Sequence, residues 1–373
     1  MIQTGRSKYR NLNNILISAS AIRHNYRFLS SRKPKAAICP VLKSNAYGHG
    51  LTLTADLFDS LGAPFIFVDS LYEAYELYKQ KIKTRILIMG YTHPDNLKVK
   101  KLPFAYSLFD LKTAKVLNRY QPGCPVHIFV DTGMHREGVP LSELPDFIDK
   151  LKKLKNLNIE GLMSHLATAD DLSENQLFNS QIENYKKALE ILHSKNIFPK
   201  WRHLGASSGR FRLNDPTFNL FRTGKSLYGI SPLSDEIVKN LRPALKFTST
   251  IVLTKEILKG ATVGYGATFK APHGMKIAII GAGYYDGVDR RLSNKGFVEV
   301  NGAMCPIIGR ASMNMTTIDI TEVPDTQTGD TVIIFSDKPQ NKNSISQAAK
   351  IAETIPYDLL VHLASTVKRT IVR

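Results

Sequence analysis

The chain is 373 residues long, 43% apolar and 22% charged, and its 50 Lys and Arg outnumber its 32 Asp and Glu for a net charge of +18. That length suits one large domain plus a smaller one with a sizeable core, and no apolar run reaches the ~18 residues of a membrane-spanning helix. Basic runs such as LKKLKNLN lack interleaved stacking aromatics, so they read as solvated surface and not as a nucleic-acid or membrane face; their field still favours an anionic substrate or cofactor.

The opening MIQTGRSKYRNLNN is polar and basic with no apolar segment after it, unlike a signal peptide, so the cytoplasm is the expected compartment. Eight short apolar runs come next: AICPVL (37–42), FIFVD (65–69), ILIM (86–89), FAYS (104–107), VHIFV (126–130), IEGLMS (159–164), WRHL (201–204) and FNLF (218–221). Between them lie helical patterns such as SLYEAYELYKQK and LFNSQIENYKKALEILHSK. In the second, Phe178, Ile182, Tyr185, Ala188, Leu189 and Leu192 share one face. Eight strands alternating with helices predict an α/β fold, a (β/α)8 barrel over residues 13–242.

From residue 243 to 373 the pattern becomes mostly β, with residues 1–12 free to pack on that domain. ALKFTSTIVLTKEI, MKIAIIGAG, GFVEVNG, TTIDI and DTVIIFS read as strands between turns, and one late helix is expected at SISQAAKIAETI, 344–355. IAIIGAGYYDG imitates a dinucleotide loop. It fails, because Asp286 stands at the last glycine and no amphipathic helix comes after it. Cys39, Cys124 and Cys305 are odd in number and scattered, with no disulfide framework or metal spacing.

Barrel active sites lie at the C-terminal ends of the strands, with phosphate often bound after strands seven and eight. Strand seven here runs into GASSG (205–209), and strand eight into RTGKSLYG (222–229), a turn into an expected helix start. Both loops suit phosphate through their amides and hydroxyls. Strand one ends in Lys43. A lysine across the barrel mouth from a phosphate site suggests covalently held pyridoxal phosphate, although a lone strand-end lysine is more often only reaching for water. DTGMHREG (131–138) and SHLATAD (164–170) bring further charged, imidazole and hydroxyl groups to the same rim.

With these blocks in place, the chain resembles the alanine racemases along nearly its whole length. VLKSNAYGHG (41–50) is similar to that family's lysine signature. DTGMHREG, SHLATAD, FRTGKSLYGISP, GYGATF (264–269), GYYDGVDRRLSNKG (283–296), IGRASMNM (308–315) and TIPYD (354–358) resemble further family blocks in the same order. The resemblance implies a pyridoxal-phosphate-dependent racemase that interconverts L- and D-alanine by two bases and supplies D-alanine for peptidoglycan. Lys43 would carry the cofactor and serve one face, and Tyr265, from the second subunit of a homodimer, the other. Phenols and lysine amines titrate at about 10 and about 10.4, so both must be tuned to act near neutrality.

By the same resemblance Arg222 faces the pyridine nitrogen, buttressed by His165. Tyr47, Ser207, Tyr357 and the amides of Gly224 and Lys225 hold the phosphate. Arg136 reaches the cofactor's phenolic oxygen and the substrate carboxylate, the backbone of Met313 assists from the second subunit, and Tyr284 narrows the entrance towards small amino acids.

Four departures qualify the resemblance. Phe129 stands where many members carry a carbamylated lysine that steadies the arginine, so Arg136 must be held otherwise or be looser. Asn314 replaces an aspartate, which leaves a broad-specificity or serine racemase as an alternative. Ala206 replaces an asparagine before Ser207, and Pro40 cannot donate in the strand-one ladder. A related decarboxylase would need an acid where Arg222 stands, and a non-enzymatic cofactor carrier would not need the C-terminal blocks.

Overall fold

Each of the eight apolar runs forms a strand of one parallel barrel. The structure, a computed structural model, describes residues 9–32, 35–230, 233 and 239–373. The strands are Ala37–Pro40, Ile66–Val68, Ile86–Ile88, Ala105–Leu108, Pro125–Asp131, Asn158–Met163, Trp201–His203 and Leu220–Thr223. Strands two to seven pair in chain order, and strand eight pairs with strand one. Asn219 and Arg222 donate from strand eight to the carbonyls of Arg202 and Gly205 beside strand seven, each at 3.1 Å, which closes that seam. Between strands one and two only the bridge Val41–Phe67 remains.

Pro40 accounts for that thin seam. The amides of Ala37 and Val41 donate to strand eight and that of Leu42 to Phe67 of strand two. Amide directions alternate along a strand, so position 40 faces strand two, and proline has no N–H to offer there.

Helices cover the barrel because their apolar stripes have a sheet to bury against. Leu71–Lys79 starts at a capping box in which Ser70 and Glu73 each accept from the other's backbone amide. Along Gln176–Ser194, Phe178, Tyr185, Ala188 and Leu192 are buried, while Ile182 and Leu189 are half-buried. The buried Tyr185 hydroxyl donates to the Leu162 carbonyl at 2.7 Å and pins the helix to strand six. Full burial of a side chain such as Phe178 or Leu192 stabilises by roughly 1.5–3 kcal/mol. Beyond strand eight the expected helix start is only a 3₁₀ turn, Lys225–Tyr228, stopped by Gly229 at φ 84°. Just past that turn, residues 231, 232 and 234–238 lie outside the described residues.

By contacts the chain divides into the barrel unit, Ile22–Ala46 with Leu51–Leu241, and a second unit of the segment up to Ala21, Tyr47–Gly50 and Arg242–Arg373. The barrel's expected start at residue 13 therefore moves past Ala21. Asn14–Ser18 is a strand of the second unit, antiparallel to Leu245–Ile257 and parallel to Lys368–Val372. It buries Ile15 and Ile17 there. That sheet also contains Met275–Ile280, Phe297–Val300, Ala303–Pro306, Thr316–Asp319 and Thr331–Phe335. The single late helix becomes two, Ile345–Ile351 and Pro356–Val361. The second begins with proline at its first helical position, where the missing N–H costs nothing. After Met275–Ile280, the Asp286 carboxylate accepts the Gly283 amide at 3.0 Å, and the next element is only a 3₁₀ turn.

Candidate active site

Lys43 leaves the end of strand one at an abrupt change of backbone. Ser44, Asn45, Ala46 and Tyr47 all take left-handed conformations with φ between 53° and 56°. For residues with a Cβ this costs about 1–2 kcal/mol each, so the surroundings must hold it. The Ser44 amide donates to Glu73 Oε1 at 2.7 Å, and Asn45 Oδ1 accepts the Leu51 amide at 2.8 Å. Lys43 Nζ lies 3.5 Å from Asp69 Oδ1, at the end of strand two.

Arg222 is buried on strand eight. Its guanidinium donates to His203 Nδ1 (2.8 Å), the carbonyls of His203 (2.9 Å), Ser164 (2.6 Å) and Leu204 (3.4 Å), and His165 Nδ1 (3.0 Å). Guanidinium only donates, so both imidazoles must accept through Nδ1. His203 then carries its proton on Nε2 and donates it to His127 Nδ1 at 2.7 Å. His127 in turn directs its Nε2 proton towards Glu160, 3.8 Å away, too far for a hydrogen bond. Glu160 is paired with Arg85 through both oxygens, at 2.8 and 2.6 Å.

Burial first, and then the cations Arg222, Arg136, Lys43 and Lys225, push His165 down to about 3. Burial also lowers Arg222 to about 10.

Ser207, after strand seven, is buried, and its hydroxyl accepts the amides of Gly224 (3.2 Å) and Ser226 (3.4 Å) after strand eight. Burial likewise lowers Lys225, whose Nζ is 3.4 Å from Asp170. In DTGMHREG the Asp131 carboxylate gathers the amides of Gly133, Met134 and His135 at 2.9 to 3.1 Å. Arg136 comes next, with its Nε donating to Glu137. Phe129 packs edge-on against Phe109 at 6.2 Å, so Glu137 is what holds this arginine.

The other predicted residues lie in the second unit. Gly48, next to Tyr47, has φ 81°, and a Cβ there would sit 2.0 Å from the Leu360 carbonyl oxygen. Only glycine lets this loop touch the helix Pro356–Val361, which carries Tyr357. Arg369 Nε donates to the Gly48 carbonyl at 2.7 Å. Tyr265 stands on a 3₁₀ turn between Gly264 (φ 71°) and Gly266 (φ 74°) and is 71% exposed. Met313 is 55% exposed, and its carbonyl is taken by the Tyr285 amide. Tyr284 lines a cavity of about 260 Å³ with Gly287, Asp289, Arg290, Leu359 and His362.

Asp69, Glu73, Gln181 and His203 were not singled out from the sequence. Gln181 ties the rim together by accepting the Ala167 amide at 2.8 Å and donating to the His165 carbonyl at 2.9 Å. A polar residue on an otherwise apolar helix face was the available signal for it. Asp69, the last residue of the run FIFVD, sits where the strand-end rule looks for function.

The chain matches the family description "Alanine racemase, N-terminal domain" over residues 17–232 and "Alanine racemase, C-terminal domain" over 244–371. It is 34% identical over 356 residues to an alanine racemase of Syntrophobacter fumaroxidans, covering 92% of this chain and 93% of that one. Among solved structures it is similar to the alanine racemase of Bacillus anthracis with bound L-Ala-P, at 28% identity and TM-score 0.89, covering 98% of this chain and 96% of that one. It is also similar to that of Bartonella henselae with covalently bound pyridoxal phosphate, at 28% identity and TM-score 0.86, covering 97% of this chain and 100% of that one.

Proposed function

The chain belongs to the alanine racemase family, and from that premise we propose that it interconverts L- and D-alanine with Lys43 and Tyr265 as bases on opposite faces of Cα. The family works with pyridoxal phosphate, which when bound acts as an electron sink and makes the substrate's Cα–H acidic enough to remove. The residues present fit such a group. Arg222 is a buried cation with no carboxylate paired to it among the described residues, and the buried Ser207 hydroxyl draws together two loop amides.

In this reading Lys43 anchors the cofactor, and its freed amine exchanges a proton with one face of Cα. Tyr265 exchanges one with the other face and comes from a second copy, as does the Met313 backbone. The exposure of both side chains supports a homodimer with shared sites. Arg222, which offers only donors, would face the cofactor's ring nitrogen and disfavour a proton there; His165 helps to fix the orientation of the guanidinium. Ser207, Tyr47, Tyr357 and the amides of Gly224 and Lys225 hold the phosphate. Arg136 orients the substrate carboxylate, and Tyr284 restricts the entrance. The enzyme works in the cytoplasm and supplies D-alanine for peptidoglycan.

The observation that carries this reading is the buried Arg222 at the end of strand eight, bonded to His165 at 3.0 Å and to no carboxylate among the described residues. Borohydride treatment of the loaded protein is expected to fix the cofactor on Lys43, and L- and D-alanine, incubated separately, to reach one near-equal mixture. Label on another residue would overturn the site assignment, and no conversion the activity. Asn314 favours a second reading, a broader or serine racemase, which rates across alanine, serine, lysine and arginine decide.

A further inference from the structure

One carboxylate faces Lys43, and the fold holds it with care. Asp69 places Oδ1 3.5 Å from Lys43 Nζ. Its amide donates to Glu73 Oε2, and its carbonyl accepts the Gly90 amide, both at 2.9 Å. A Cβ on Gly90 would lie 2.5 Å from that carbonyl oxygen and 3.2 Å from Asp69 Oδ2, so the close approach needs glycine. The other oxygen of Glu73 accepts the Ser44 amide. A single glutamate therefore fixes the main chain beside both members of the pair.

We propose that Asp69 is a positioning residue, the counter-ion that aims the Lys43 side chain and neutralises its ammonium form during turnover. The proton travels only between Cα and Lys43 Nζ, and Asp69 accepts none. An exposed ion pair often contributes little. This one differs in that a single glutamate fixes the main chain beside both partners. The inference rests on Lys43 being the amine that moves the proton.

The test compares the full-length wild type with Asp69→Asn, Asp69→Ser and Asp69→Glu. In cofactor-stripped protein, Lys43 acylation by a water-soluble succinimidyl ester is tracked by peptide mass spectrometry. An ammonium is not nucleophilic, so losing its counter-ion should speed acylation by up to about fivefold at neutral pH. Asp69→Glu should restore the slow rate, and Lys225 should label equally in all four proteins. In the loaded enzyme, deuterium uptake from solvent at Cα should slow for one alanine enantiomer and not the other in Asp69→Asn.

Equal Lys43 labelling in wild type, Asp69→Asn and Asp69→Ser overturns the inference, as does Asp69→Glu behaving like Asp69→Asn. If borohydride marks another lysine in the wild type, the proposed function fails instead, and the acylation rates still report what Asp69 does to Lys43.

Discussion

Arg222→Lys isolates what a guanidinium does that a charge alone cannot. The substitution keeps the cation on strand eight but reduces five fanned donors to three at one point. Arg222 serves two imidazole nitrogens and three carbonyls at 2.6 to 3.4 Å. An ammonium can satisfy three of these, leaving two buried acceptors unpaired at about 1–3 kcal/mol each. The longest contact is already weak, so the expected loss is about 2–4 kcal/mol. The chain has one tryptophan, Trp201, on strand seven. Its fluorescence during urea titration reads the barrel without contribution from the second unit. Freed from Arg222, His203 can also change tautomer and reverse its bond to His127. A barrel transition within about 0.5 kcal/mol of wild type would show that surface-like relaxation replaces the fan, and the buried-network argument would fall.

Tyr265→Phe removes one proposed base, and conversion from one alanine enantiomer should slow more than tenfold, about 1.4 kcal/mol of barrier. Unchanged rates from both enantiomers would refute the two-base assignment. Glu137→Gln should loosen Arg136 and raise KM for alanine with kcat nearly constant, the pattern of lost ground-state binding; an unaltered KM would show that Arg136 does not depend on this neighbour. Acid should destabilise the barrel early. Burial foremost, with Arg222 next, pushes His165 down to about 3 and His203 well below its ordinary value, and burial also lowers His127. The unfolded chain protonates such groups near about 6.5. It therefore binds up to three more protons than the folded one, and stability falls as pH drops below 6.5, by at most ~4 kcal/mol per pH unit. Glu160, held at about 2 despite burial by His127 and Arg85, extends the loss below its unfolded value. Trp201 transitions that coincide at pH 8 and pH 5 would contradict this.

Strands were legible because each barrel strand is a short continuous apolar run between turns; even WRHL and FAYS, the weakest, form strands. Residues 14–18 were counted with the barrel and not read as a strand, because five alternating residues do not say which sheet they join. The helix at Pro356–Val361 was not expected, because TIPYD was read only as a block of the resemblance, although a proline at a first helical position is a start signal. At the site, Lys43, Arg222 and Ser207 stand at strand ends where the barrel rule points. His203, Glu73 and Asp69 also meet Arg222, Ser44 and Lys43, about 20 to 30 residues away in the chain, and local spacing carries no trace of those contacts. Phe129 announced that Arg136 needed another support, but only coordinates show Glu137 supplying it.

The left-handed turn after Lys43 also limits how this chemistry could be transplanted. VLKSNAYGHG, grafted alone into another barrel, would relax to ordinary backbone and swing its lysine away. A host would have to bring a glutamate for the Ser44 amide, a helix start for Asn45 to cap and an arginine for the Gly48 carbonyl. The portable unit is therefore not ten consecutive residues but a discontinuous set drawn from positions 41 to 369, and a designer who copies only the signature copies the smaller part of it.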